Sequence, residues 1–116
     1  MSEKLLKYLF DVKLAIEEID SYFIENEKRY DSYRKNTLLK RGIERNLEII
    51  GEAINRILAT DGEFPIKNAR KIVGLRNQIS HAYDSVSDEN IWGIVINHLP
   101  VLKEEIEELI KKYYST

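Results

Sequence analysis

Apolar residues recur every three or four positions in four separate stretches of this chain, and a period near 3.6 commits those stretches to helices. Leu5, Leu9, Val12, Ile16, Ile19 and Phe23 form the first stripe. Leu39, Ile43, Leu47, Ile50, Ile54 and Ile57 form the second, and Ile72, Leu75, Ile79 and Ala82 a third, shorter one. Ile91, Val95, Leu99, Leu102, Ile106, Leu109 and Tyr113 form the fourth. Thr37 is placed to cap the second helix. The stretch "TDGEFP", residues 60–65, ends it with Gly and Pro. Ser87 or Asp88 caps the fourth helix. Pro100 falls inside that helix, where its missing N–H and its ring predict a kink or a local break. Residues 26–36, "NEKRYDSYRKN", are polar without a stripe and read as a loop or a short extra helical turn. Four stripes joined by short connections predict an all-α, up-and-down four-helix bundle. Stripes of this length could also bury part of themselves against a second copy. Gly51 sits mid-helix, at a cost of about 1 kcal/mol relative to Ala. A close helix–helix approach would offset that cost, but the sequence leaves the point open.

Composition narrows the function classes. A length of 116 residues suggests one domain, residues 1–116, with enough chain to bury a core without staples. Charged residues at 33% and hydrophobic residues at 43% are ordinary for a soluble globular protein. There is no cysteine, so neither a disulfide framework nor a cysteine nucleophile is possible. With two distant histidines and no thiolate, no metal site is expected. The first 20 residues are charged throughout and lack the apolar run of a signal peptide or a membrane span. A cytoplasmic protein without a membrane partner is therefore expected. Residues 61–83 carry four basic and two acidic side chains, whereas residues 84–116 carry three and seven. This is not the extended basic surface of a duplex-DNA binder, but it leaves room for a local cationic site.

The stretch "GLRNQISHAYDS", residues 74–85, holds one of the two histidines. Advancing about 100° per residue, Ile72, Leu75, Ile79 and Ala82 share one face of a helix. Arg76, Asn77, Ser80 and His81 then occupy the outer half. Asn77 and His81 are i,i+4 neighbours, so one can hydrogen-bond the other. A guanidinium offers forked donors to phosphate oxygens. A histidine titrates near neutrality and can move a proton. Together they suit cleavage of a phosphodiester. His81 would move the proton of the 2′-hydroxyl or of the leaving 5′-oxygen, and Arg76 would stabilise charge on phosphorus. Asn77 would orient the imidazole, and no metal or cofactor is called for. On spacing alone an ordinary solvated face stays open.

"LRNQISHAYD" resembles the Arg-x4–6-His signature of HEPN domains, and more closely the Arg-x4-His-x-Tyr form of HepT-like toxins. Here that form is Arg76, His81 and Tyr83. The resemblance extends to "LKRGIERNLEIIGEAINRI" (39–57), "FPIKNARKIVGLRN" (64–77) and "ENIWGIVINHLPVLKEEI" (89–106), and is weakest over residues 1–36. It implies an all-helical domain that forms a homodimer, with both motif copies near a cleft between subunits. It implies a metal-independent endoribonuclease that is the toxin of a toxin–antitoxin pair. The partner would be a small nucleotidyltransferase antitoxin, which can transfer AMP from ATP onto the motif tyrosine. By that resemblance Arg76 binds phosphate, His81 is the general acid/base, Asn77 supports it and Tyr83 is the modification site. The family often has a Trp before the motif. This chain has Lys67, Arg70 and Lys71 there instead, a difference that bears on RNA preference.

Arg41 and Arg45, one turn apart on the second helix, could extend an RNA groove, meet the antitoxin, or simply be solvated. His98 reads as a packed or capping residue, Trp92 as core or interface. Tyr30 and Tyr33 carry no assigned role. The acidic run "KEEIEELIKK" reads as a solvated face that would repel RNA. Two other readings remain. One is a non-catalytic helical dimer that binds a nucleotide or a nucleotidyltransferase. The other is a generic helical adaptor, whose third helix would tolerate free replacement of its polar face.

Overall fold

The computed structural model describes residues 3–66, 73–74 and 87–114. The fold is an all-α helical bundle, and among the described residues there is no strand. Helix α1 spans Glu3–Glu25, α2 Tyr30–Lys35 and α3 Thr37–Thr60. Helix α4 spans Asp88–Gly93 and runs through a π-helical turn, Ile94–His98, into α5, Leu99–Tyr114. The first, second and fourth stripes line the core: Leu9, Val12, Ile43, Leu47, Ile54, Leu102 and Ile106 are fully buried. The third stripe lies outside the described residues. No described helix is long and apolar enough to cross a membrane.

The helix ends show which side chains do the capping. Asn36, not Thr37, caps α3: its side-chain oxygen accepts from the Leu39 N–H at 3.0 Å. An amide at the N-cap satisfies a donor that has no partner within the first turn. At the start of α4 the Ser87 hydroxyl accepts from the Asn90 N–H at 3.1 Å, so Ser87 rather than Asp88 is the cap. The break expected near Pro100 takes the form of a widened turn. The Leu99 N–H reaches back five residues to the Ile94 carbonyl. A proline cannot donate to the turn before it and crowds the carbonyl four residues back, and a π turn relieves both problems without ending the helix.

Helix α1 packs chiefly on α3, and α5 packs on α1. The α1–α3 seam contains one buried polar side chain, Asn46. Its amide nitrogen donates to the Tyr22 hydroxyl and to the Gly42 carbonyl, each at 3.0 Å. A Cβ at Gly42 would lie 3.0 Å from three atoms at the far end of Tyr22. The close approach that a mid-helix glycine permits is thus visible at Gly42, while Gly51 is buried on the same helix. Asn46→Ala should cost about 1–3 kcal/mol, because it removes two hydrogen bonds at the α1–α3 seam. Tyr22→Phe should cost less, since Asn46 keeps the Gly42 carbonyl. Urea unfolding of the two variants gives the comparison.

The polar stretch before α3 forms the short helix α2, and it closes one end of the bundle. Tyr33 is fully buried and stacks on Trp92 of α4 at 5.1 Å. Phe23 of α1 meets the same indole edge-on at 5.9 Å. Lys40 at the start of α3 pairs with Asp88 at the start of α4 at 3.1 Å, with both side chains half-buried. At the other side of the bundle Lys103 of α5 pairs with Asp20 of α1 at 2.9 Å.

Candidate functional site

The segment that holds the motif leaves α3 at Thr60 and rejoins the described bundle at Ser87. Both ends are fixed. On the way out the Phe64 N–H donates to the Asp61 carbonyl at 3.1 Å, and Phe64 and Ile66 insert into the core. On the way back Ser87 caps α4, Asp88 pairs with Lys40, and Ile91 is buried. Arg76, Asn77, His81 and Tyr83, with Lys67, Arg70 and Lys71, lie outside the described residues.

Of the residues singled out from the sequence, Arg41 and Arg45 are placed, both exposed on α3. Arg41 donates to the Glu44 carboxylate at 3.1 Å. Arg41 also borders an open cavity of about 410 Å³, which Asn26 and Asn36 line with amides and Leu38 with an exposed apolar side chain. Arg45 has no carboxylate partner among the described residues. Trp92 is packed against the core as expected. His98 ends the π turn, half-buried.

Tyr33 is the residue that sequence reasoning missed. Its phenol is buried with no hydrogen-bond partner among the described residues. Burial pushes its ionisation well above the ordinary phenol range, and the carboxylates of Asp88 and Glu44 push the same way. The available signal was the i,i+3 spacing of Tyr30 and Tyr33, which puts two aromatics on one helix face. Charged neighbours, from Arg29 to Lys35, hid it.

The family described as ribonuclease HepT-like matches residues 12–109. That span includes Arg76, Asn77, His81 and Tyr83. Two Methanocaldococcus jannaschii proteins named as candidate RNases are similar to this chain. One is 32% identical over 106 residues, 90% of this chain and 85% of the relative. The other is 30% identical over 110 residues, 92% of this chain and 98% of the relative. A Thermococcus cleftensis protein named probable ribonuclease HepT is 31% identical over 108 residues, 90% of this chain and 94% of the relative. No solved structure matches the chain significantly.

Proposed function

The chain belongs to the HepT-like ribonuclease family, and from that membership we propose that it is a metal-independent endoribonuclease, the toxin of a toxin–antitoxin pair. The observation that carries the reading is a family match that runs through the complete Arg-x4-His-x-Tyr spacing.

His81 moves the proton of the attacking 2′-hydroxyl or of the leaving 5′-oxygen. Arg76 binds the scissile phosphate with forked donors and stabilises the charge that builds on it. Asn77 holds the imidazole in orientation. Lys67, Arg70 and Lys71, with Arg41 and Arg45, supply further contacts to the RNA backbone. The active form is a cytoplasmic homodimer. Its antitoxin is a nucleotidyltransferase that silences it at Tyr83. The tyrosine oxygen bonds to the α-phosphorus of ATP, the phenolic proton is lost, and pyrophosphate leaves. The new phosphodiester places a fixed negative charge and a bulky nucleoside two residues from His81. It competes with RNA for Arg76 by charge and by volume.

Incubation with a nucleotidyltransferase partner and ATP tests this arm. The intact mass should rise by one or more AMP units, and RNA cleavage should fall with it. Tyr83→Phe should keep its mass and its activity under the same treatment. A mass gain in Tyr83→Phe equal to that of the parent would assign the modification elsewhere.

A further inference from the structure

Positive charge is dense in one contiguous stretch, and that stretch folds into the corner where α2 packs against α3 and α4. Residues 26–45, which comprise the α1–α2 loop, α2 and the start of α3, carry seven basic and three acidic side chains in a chain of net charge −2. Three of the seven have carboxylate partners: Arg29 with Glu27 at 3.6 Å, Lys40 with Asp88 at 3.1 Å and Arg41 with Glu44 at 3.1 Å. Lys28 lies over the Phe23 ring at 5.4 Å. Arg34, Lys35 and Arg45 are exposed and have no carboxylate partner among the described residues.

We infer that α2 and the first turns of α3 form a track for the phosphates of single-stranded RNA, with the exposed Arg34, Lys35 and Arg45 as its cations. The inference rests on the ribonuclease reading above. Three observations support it. First, the backbone under these cations is anchored. Tyr33 fixes α2 by its burial and by its stack on Trp92, and Asn36 caps α3 directly after Lys35. Cations on an anchored frame lose less freedom when they bind than cations on a loose tail. Second, α2 packs against both α3 and α4, so the corner adjoins Asp88. Asp88 follows Tyr83 by five residues, and five residues of extended chain reach at most about 18 Å. A strand held at the motif can therefore continue over this corner within a few nucleotides. Third, the sign suits a polyanion here and not at α5. The exposed carboxylates of Glu104, Glu107 and Glu108 disfavour a phosphate backbone there.

Binding of a labelled single-stranded 2′-O-methyl RNA tests the track, since that RNA keeps its phosphates but lacks the 2′-hydroxyl nucleophile. Affinity is measured across a salt series for the parent, for Arg34→Ala/Lys35→Ala, for Arg45→Ala and for the charge-matched control Lys111→Ala/Lys112→Ala. Each phosphate contact on a single strand adds about 0.7 to the slope of log affinity against log salt. The double variant should lose about 1.4 from that slope, and Arg45→Ala about 0.7. The control should match the parent, and all four proteins should melt alike. Unchanged slopes in the variants, with a parent that binds RNA, overturn the track and leave the ribonuclease reading standing. Unchanged slopes together with lost binding to the nucleotidyltransferase also overturn it, and make the corner a protein interface. A parent that binds no RNA overturns both readings.

Discussion

Replacing Tyr33 with alanine should lower the unfolding free energy by about 3–5 kcal/mol. The side chain is fully buried and is the principal anchor of a helix of only six residues. A helix that short has no independent stability in water, because its nucleation cost exceeds what a few backbone bonds return. What holds α2 in place is the ring stack on Trp92 at 5.1 Å, with Tyr30 alongside at 6.5 Å. Removing the ring leaves a cavity beneath Trp92 and frees α2, so the loss should include both terms.

Tyr33→Phe should behave in the opposite way. It keeps the stack and deletes a hydroxyl that has no hydrogen-bond partner among the described residues. A buried polar group without a partner costs about 1–3 kcal/mol, so this variant should be as stable as the parent or more stable. Alkaline pH should widen the gap. The folded state holds the phenolic proton above its ordinary ionisation near pH 10. Below about pH 10 both states keep the proton and the contribution of the group is constant. As pH rises past about 10, the unfolded state loses the proton first and binds fewer protons than the folded one, so stability falls. Denaturant unfolding of parent and Tyr33→Phe at neutral and alkaline pH should show a smaller alkaline loss in the variant. A clear destabilisation by Tyr33→Phe at neutral pH would mean that the hydroxyl has a partner and that the corner is built differently.

His81→Ala and Arg76→Ala should each lower RNA cleavage by about 10²–10⁴-fold, the range over which a positioned acid/base contributes. The two losses should not add. Groups that act on one transition state give nearly the full loss when either is removed. The double variant should therefore fall only slightly below the weaker single one. Single-turnover cleavage rates, with melting curves to show intact folds, measure both points.

Much of this architecture is legible in the sequence. Three of the four stripes place the core of α1, α3 and the α4–α5 helix residue by residue, because their period runs over several turns without interruption. Helix α2 was not legible as a core element. Its buried content is one aromatic, Tyr33, with Tyr30 half-buried beside it in a run of charge, and a period cannot be recognised in a single turn. The cap at Asn36 was missed because Thr37 next to it is an equally good capping residue, and local chemistry does not choose between neighbours. Pro100 announced a disturbance but not its form, since a kink and a widened turn relieve the same clash. The motif is read from spacing and side-chain chemistry, with the family resemblance beside it, and its residues lie outside the described ones. The basic corner is a contiguous stretch, residues 26–45. What the sequence does not show is that α2, within that stretch, packs against both α3 and α4.

The central claim is catalysis of RNA cleavage by this chain without a metal ion. The direct measurement is incubation of purified, unmodified protein with single-stranded RNA in EDTA, beside His81→Ala prepared in the same way. The parent should cut the RNA, and His81→Ala should leave it intact. Intact RNA with the parent, or equal cutting by both proteins, would contradict that claim.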